Sequence, residues 1–362
     1  MPSGPDSRVS ALDSLLEDAG LDAVLATKDA SIAYLSGFWG LQLERFFGVV
    51  VRPGGAALIA PSLDRESVNA APGGLERVLY SAGVSNGLPE LFERLDGAKR
   101  IGVEEDHLNY ARSRALIEAG YELVPATDVV MRLREAKDAE EVEGVRRACA
   151  HIQAVYEELW ASLAVGAIES DVNAHADYLL KRRGARDAGS HILFGRHAAD
   201  SHGSPDGRAL AAGDVVCADI SAQFDGYWGD MTRVATAGEP SDWARSAWAV
   251  VKEAYDAAVT ATRPGATARQ VDAAQREIVG AHPEIGEVLH GAGHAIGLEI
   301  HEPPFLVPNS PATLREGMIF TIEPGIYNSA QGGIRLEDDV LVGPGGPVLL
   351  SDAPLDLRVL GS

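Results

Sequence analysis

The chain has 362 residues, 46% of them hydrophobic, a length that is large for one domain and comfortable for two. Its formal net charge of -22 excludes nucleic acid and an anionic membrane surface as natural partners, because phosphate recognition needs clustered Lys and Arg. With only two cysteines, Cys149 and Cys217, neither a disulfide framework nor a thiolate zinc site is expected, and a cytoplasmic location is the default.

The N-terminal stretch has no basic segment leading into an apolar core, and no apolar run reaches the roughly 18 residues of a membrane span. Val9, Leu12, Leu15, Leu16 and Ala19 recur at helical spacing up to Gly20, and LDAVLAT then reads as a buried strand. FFGVVVRPGGAALIA is two apolar runs around Pro53-Gly54-Gly55, while KRIGVEEDHLNYARSRALIEAGYELVPA alternates strand, helix and strand. Residues 1–130 are therefore expected to form an α/β domain. Asp138 followed by Glu141 predicts a capping box, and Val142, Val145, Ala148, Ile152, Val155, Tyr156 and Leu159 give the apolar stripe of a long helix. That helix opens a second domain, 131–362. SDWARSAWAVVKEAYDAAVTAT and TARQVDAAQREIVGA predict further helices, and the last part of the chain is Gly- and Pro-punctuated strand, so the second domain is α+β.

Within it, VVCADISAQFDGYWGDMTR predicts a hairpin turning at Asp225-Gly226. If Phe224 faces Tyr227, then Ser221 lies opposite Asp230 and Thr232 opposite Asp219. All four side chains then share one face, with the aspartates diagonal at roughly 7 to 8 Å or less. Two carboxylates that close in a half-buried setting repel unless a cation lies between them, and the small Ser221 leaves room for one. A solvated hairpin face with scattered aspartates is the alternative from this stretch alone.

Three further segments are as unusual. LHGAGHAIGLEIHEPP holds His290, His294 and His301; IFTIEPGIY holds Glu323; GGIRLEDDVLV holds Arg335 and Glu337. The glycines around His294 argue against a zinc-binding helix and for close backbone approach. Carboxylates inside such apolar strands are rarely tolerated unpaired. Asp219, Asp230, His294, Glu323 and Glu337 form an oxygen-rich set without thiolate, suited to manganese, cobalt, iron or zinc in a carboxylate-bridged pair. A pair roughly 3.5 to 4 Å apart supports hydrolysis.

The ligand order, embedded in DGYWGDMTR, GHAIGLEIHE, EPGIY and GIRLED, resembles the pita-bread metallopeptidases, in particular the Xaa-Pro dipeptidases and aminopeptidases P. The resemblance covers the whole second domain, and the first domain is similar to the creatinase/prolidase N-terminal domain. It implies a creatinase-like α/β domain followed by an α+β pita-bread catalytic domain. It also implies two divalent ions per chain, manganese or cobalt first, with zinc or iron as alternatives. Asp219 would bind one ion and His294 the other, with Asp230 and Glu337 bridging and Glu323 both ligand and proton shuttle. His202 and His301 match histidines that contact the substrate, and His290 and Arg335 match positions that orient ligands. The implied activity is hydrolysis of the Xaa-Pro bond in dipeptides or short peptides, by a homodimer with no nucleic-acid or membrane partner.

Some positions depart from that pattern. Ser221 stands where glycine is common, and His197 and Asp200 replace the asparagine and apolar residue usual in the substrate loop. Phe305 stands where several prolidases carry an arginine for the dipeptide carboxylate. Phe305 and the altered loop keep open a metal-dependent hydrolase of a small non-peptide amide on the same fold; a catalytically inactive binding module is the non-enzymatic alternative, which the intact ligand set opposes.

Overall fold

Leu12 and Leu16 point inward from the first helix, α1 (Pro5–Ala19), and Gly20 ends it in the left-handed conformation that glycine adopts without strain. The computed structural model describes residues 3–361, and the chain divides between Arg134 and Glu135 into two units. The first contains β1 (Ala23–Ala26), α2 (Asp29–Ser36), β2 (Gly48–Arg52), β3 (Gly55–Pro61), α3 (Arg65–Ala70) and β4 (Glu76–Tyr80). After these come α4 (Leu88–Arg94), β5 (Arg100–Val103), α5 (Tyr110–Glu118), β6 (Glu122–Pro125) and α6 (Thr127–Arg134). Its mixed sheet runs β4-β3-β2-β1-β5-β6, with β1–β2 and β2–β3 antiparallel and the other pairs parallel. The apolar run of β1 is buried along its whole length, as a strand covered on both faces must be.

The division falls after Arg134, later than residue 130, because α6 belongs to the first unit. Val130 and Met131 of that helix are buried, and Arg134 reaches Ser31 Oγ at 3.4 Å. Its short amphipathic run ends just before the Asp138 cap and does not stand out from it by periodicity.

The second unit opens with α7 (Ala139–Ser162), whose N-terminus carries the expected capping box. Asp138 accepts from the Glu141 N–H at 2.9 Å, and Glu141 accepts from the Asp138 N–H at 3.0 Å. Next come α8 (Glu169–Arg182), β7 (Asp187–Phe194), β8 (Val215–Phe224), β9 (Tyr227–Ala237), α9 (Asp242–Ala261) and α10 (Ala268–Gly280). The strands β10 (Gly293–Ala295), β11 (Glu302–Leu306), β12 (Ile319–Ile322), β13 (Gly325–Asn328), β14 (Gly332–Arg335), β15 (Asp338–Gly343), β16 (Gly346–Leu349) and β17 (Arg358–Leu360) complete it. They form sheets ordered β17-β9-β8-β7 and β11-β10-β12-β15-β16, plus the ribbon β13-β14.

Each of the two larger sheets has its own helical layer. Val145 and Ile152 of α7 pack with Val216 and Ile220 of β8. Val251 of α9 and Val271 of α10 pack with Phe320 of β12 and Val340 of β15. A backbone bridge between Thr232 and Glu337 joins the first sheet to the segment just before β15. The faces turned away from the helices therefore meet around that bridge. No described helix is long and apolar enough to cross a membrane.

Candidate metal centre

The hairpin pairs as its turn dictates: Phe224 faces Tyr227, Ser221 faces Asp230 and Asp219 faces Thr232. Asp225 and Gly226 have φ 50 and 89, the positive pair that a two-residue turn matched to strand twist requires. Alternation sends Val216, Ala218, Ile220 and Ala222 into the core under α7 and α8, leaving Asp219, Ser221, Asp230 and Thr232 on the other face. A half-buried face is the expectation from the sequence. The structure differs, since Ser221, Asp230 and Thr232 are all buried, and the Glu337 segment bridged to Thr232 lies against that side.

Asp230, His294 and Glu337 each bring a ligand atom to one point, all within 4.8 Å of one another and all from buried residues. His294 arrives there because Gly293 has φ 150 and lets β10 approach β12; a Cβ at that position would lie 1.9 Å from the Thr321 carbonyl oxygen. The His294 Nδ1 donates to the Ala295 carbonyl at 3.1 Å, so Nε2 is the nitrogen turned to the carboxylates. Nε2 lies 4.0 Å from Asp230 Oδ2 and 3.6 Å from Glu323 Oε1. Glu323, just past β12, accepts from Thr321 Oγ1 at 3.4 Å and remains partly exposed.

The protein does not balance this charge. Burial, then the neighbouring Glu337 and Asp219, hold the Asp230 carboxyl well above the usual carboxylate range. Burial and Glu323 do the same to Glu337, and burial pushes Glu323 up to about 7. Burial and the adjacent His301 pull His294 down to about 4, which keeps its imidazole neutral. Asp230 Oδ1 is buried with no hydrogen-bond partner. Oxygen donors that repel one another, one orphaned acceptor and a neutral imidazole nitrogen fit a divalent cation.

Asp219, the other acid beside Asp230, has its Oδ2 paired with Arg335 Nη2. The buried guanidinium also donates to Tyr327 OH at 2.8 Å and Thr232 Oγ1 at 3.1 Å, and the Thr232 hydroxyl donates to Glu337 Oε2 at 2.6 Å. His290 Nε2 meets Tyr327 OH at 2.7 Å. His290 and Arg335 therefore lie behind the candidate ligands in one hydrogen-bonded chain, with Tyr327 and Thr232 as its middle members. Neither has an assigned role from sequence, although Thr232 shares the Asp219 face and Tyr327 lies in the same EPGIY stretch as Glu323. His301 is exposed, its ring 4.2 Å from that of His294 and edge-on to it. His202 is exposed too and lies near His290 and His301; burial, then Arg335, pulls His290 down to about 4, and burial lowers His301. Phe305, 45% exposed, pairs with His294 across β10 and β11.

Residues 143–344 match metallopeptidase family M24, and residues 8–136 match the creatinase/prolidase N-terminal domain. The probable dipeptidase PepE of Mycobacterium tuberculosis is 34% identical over 350 residues, 95% of this chain and 93% of that protein. Among solved structures, an Xaa-Pro dipeptidase from Bacillus anthracis superposes with a TM-score of 0.91 at 29% identity, covering 98% of this chain and 99% of that one. The dipeptidase PepE from Mycobacterium ulcerans superposes with a TM-score of 0.88 at 32% identity, covering 98% and 97%. This chain belongs to metallopeptidase family M24, with a creatinase-type N-terminal domain followed by a pita-bread catalytic domain. Membership makes it a divalent-metal-dependent hydrolase.

Proposed function

We propose that the chain hydrolyses the Xaa-Pro bond of dipeptides or short peptides with two divalent ions held by Asp219, Asp230, His294, Glu323 and Glu337. The observation that carries this reading is the convergence of Asp230, His294 and Glu337 in a buried pocket of uncompensated charge. The likeness to solved structures, an Xaa-Pro dipeptidase among them, supports the choice of bond. When bound, such a pair supplies Lewis acidity toward the scissile carbonyl and acidifies water. The chain's own residues do the rest. His202 and His301, both exposed beside the cluster, hydrogen-bond the carbonyl oxygen as it gains charge. Glu323, partly exposed beside buried Asp230 and Glu337, carries the proton to the leaving proline nitrogen. Arg335, Tyr327 and Thr232 hold Asp219 and Glu337 in place.

The test is elemental analysis of protein purified without chelator, joined to a substrate panel with manganese, cobalt or zinc. The panel contains Xaa-Pro dipeptides, Xaa-Pro-Yaa peptides and N-acyl amino acids. Two ions per chain and turnover of Xaa-Pro substrates are expected. Full activity without metal, or turnover of N-acyl amino acids alone, overturns the reading.

A further inference from the structure

His202 has no hydrogen bond to its own ring among the described residues; only its backbone N–H is held, by Asp200 Oδ1 at 3.4 Å. Its place is therefore set by the segment that carries it, between β7 and β8. That segment is gathered on a single carboxylate. Glu169, the first residue of α8, has a fully buried side chain. Its Oε2 accepts from the Phe194 N–H at 2.7 Å, and its Oε1 accepts from the Asp206 N–H at 3.0 Å and from His197 Nδ1 at 2.7 Å. One side chain thus ties down both flanks of the segment and a residue inside it. The backbone of α8 repeats the attachment, with Glu169 N–H donating to the Arg208 carbonyl at 3.0 Å and Ser170 N–H to the Asp206 carbonyl at 2.9 Å.

His197 transmits that anchor to the neighbour of His202. Backbone N–H groups already donate to both Glu169 oxygens, so the carboxylate is the acceptor and the proton lies on His197 Nδ1. The opposite nitrogen, Nε2, lies against Gly203, where a Cβ would come within 3.0 Å of it. Gly203 N–H in turn donates to the Asp200 carbonyl at 3.0 Å.

We propose that Glu169 and His197 are positioning residues that fix the 195–206 segment so that His202 faces the substrate, an inference resting on the role given to His202 above. The ligand atoms of Glu169, His197 and Asp206 also lie within 4.8 Å of one another, the geometry of a metal cluster. Their donors are already matched, however: Asp206 faces Arg208, with Nε at 3.1 Å and Nη2 at 3.0 Å, and Glu169 accepts three N–H groups. A cation there would have to displace these partners, so the cluster reads as a brace.

The experiment is a double-mutant cycle in the metal-loaded enzyme on an Xaa-Pro dipeptide, with His197→Ala, His202→Ala and the double variant. Bound metal is measured throughout, together with hydrogen exchange over residues 195–206. His197→Ala should lower kcat roughly tenfold, the size of a typical coupling between contacting residues. KM should change less, exchange in the segment should rise, and metal content should stay unchanged. In the His202→Ala background the same substitution should cost nothing further. His197→Asn, which keeps a donor toward Glu169, should recover most of the rate and serves if the alanine variant fails to fold. Losses that multiply across the cycle, or metal that leaves with His197, overturn the positioning role. A fully active His202→Ala single variant overturns instead the role of His202, and with it the ground for the inference.

Discussion

Glu104 in the N-terminal unit and Asp230 in the C-terminal unit are both buried carboxylates, 1% and 5% exposed, and they are treated oppositely. Glu104 accepts from the Thr27 and Lys28 N–H groups at 2.5 and 2.7 Å and from Ser31 Oγ at 2.5 Å. It is a bracket between β1 and α2. Asp230 has one oxygen without any donor and further acids for neighbours. Burial of an acid therefore says little by itself. What marks a cation site is burial combined with withheld donors, since a fold that needed Asp230 only for architecture would supply N–H groups as it does for Glu104. Glu169 falls on the Glu104 side of this divide.

The largest expected effect separates the two kinds outright. Asp230→Ala should abolish hydrolysis and remove at least one bound ion, while the metal-free variant melts above metal-free wild type because a buried carboxyl whose ionisation burial and acidic neighbours disfavour is gone. Calorimetry with and without chelator reads it, and a less stable stripped variant would erase the contrast.

A pH dependence follows next. In stripped protein, burial holds Glu323 and Asp339 at about 7, above their ordinary 4.5 and 3.8. The native state then binds more protons than the unfolded chain between roughly 4 and 7, so stability falls as pH rises through that window. Urea midpoints across this range should show the fall with chelator and a flattened profile with saturating manganese. A flat profile in the stripped protein contradicts the charge picture.

Glu104→Gln should cost about 1–3 kcal/mol, the price of one buried donor left without an acceptor. Metal content and kcat per folded molecule should not move, which urea titration and elemental analysis check. Loss of metal would break the distinction from the other direction. The smallest effect concerns Phe305, whose ring offers no charge-assisted contact to a substrate carboxylate. Phe305→Arg should raise the kcat/KM preference for Xaa-Pro over Xaa-Pro-amide by roughly tenfold, about 1.4 kcal/mol. A wild-type preference of about a thousandfold for the free dipeptide would show that another group already clamps it.

The hairpin was legible because its determinants are local: a two-residue turn fixes the register, and the register fixes which side chains share a face. The capping box at Asp138 was legible for the same reason. The fold class followed from periodicity, and the glycines around His294 flagged the tight approach of β10 to β12. Depth was not legible. Nothing in the alternation of the hairpin shows that the Glu337 segment covers its polar face, because that contact joins residues far apart in the chain. The pairing of Asp219 with Arg335 and the Tyr327 link to His290 are hidden likewise. The helix α8 was not read from the sequence, and its Glu169 brace escaped because the partners lie on a loop whose shape no local signal encodes.

The turn at Asp225-Gly226 also gives the enzyme a parity rule. Inserting one residue into β9 between Tyr227 and Asp230 would rotate every later side chain by half a pleat, trading Asp230 for Gly229 or the inserted residue at the cluster and pressing a carboxylate into the layer beneath α7. Two inserted residues would restore the facing direction but shift the aspartate along the strand by roughly 7 Å, beyond reach of His294. Length changes in this ribbon are thus forbidden in odd and even steps alike, for different reasons, whereas substitutions at its tip are free so long as both turn residues keep positive φ.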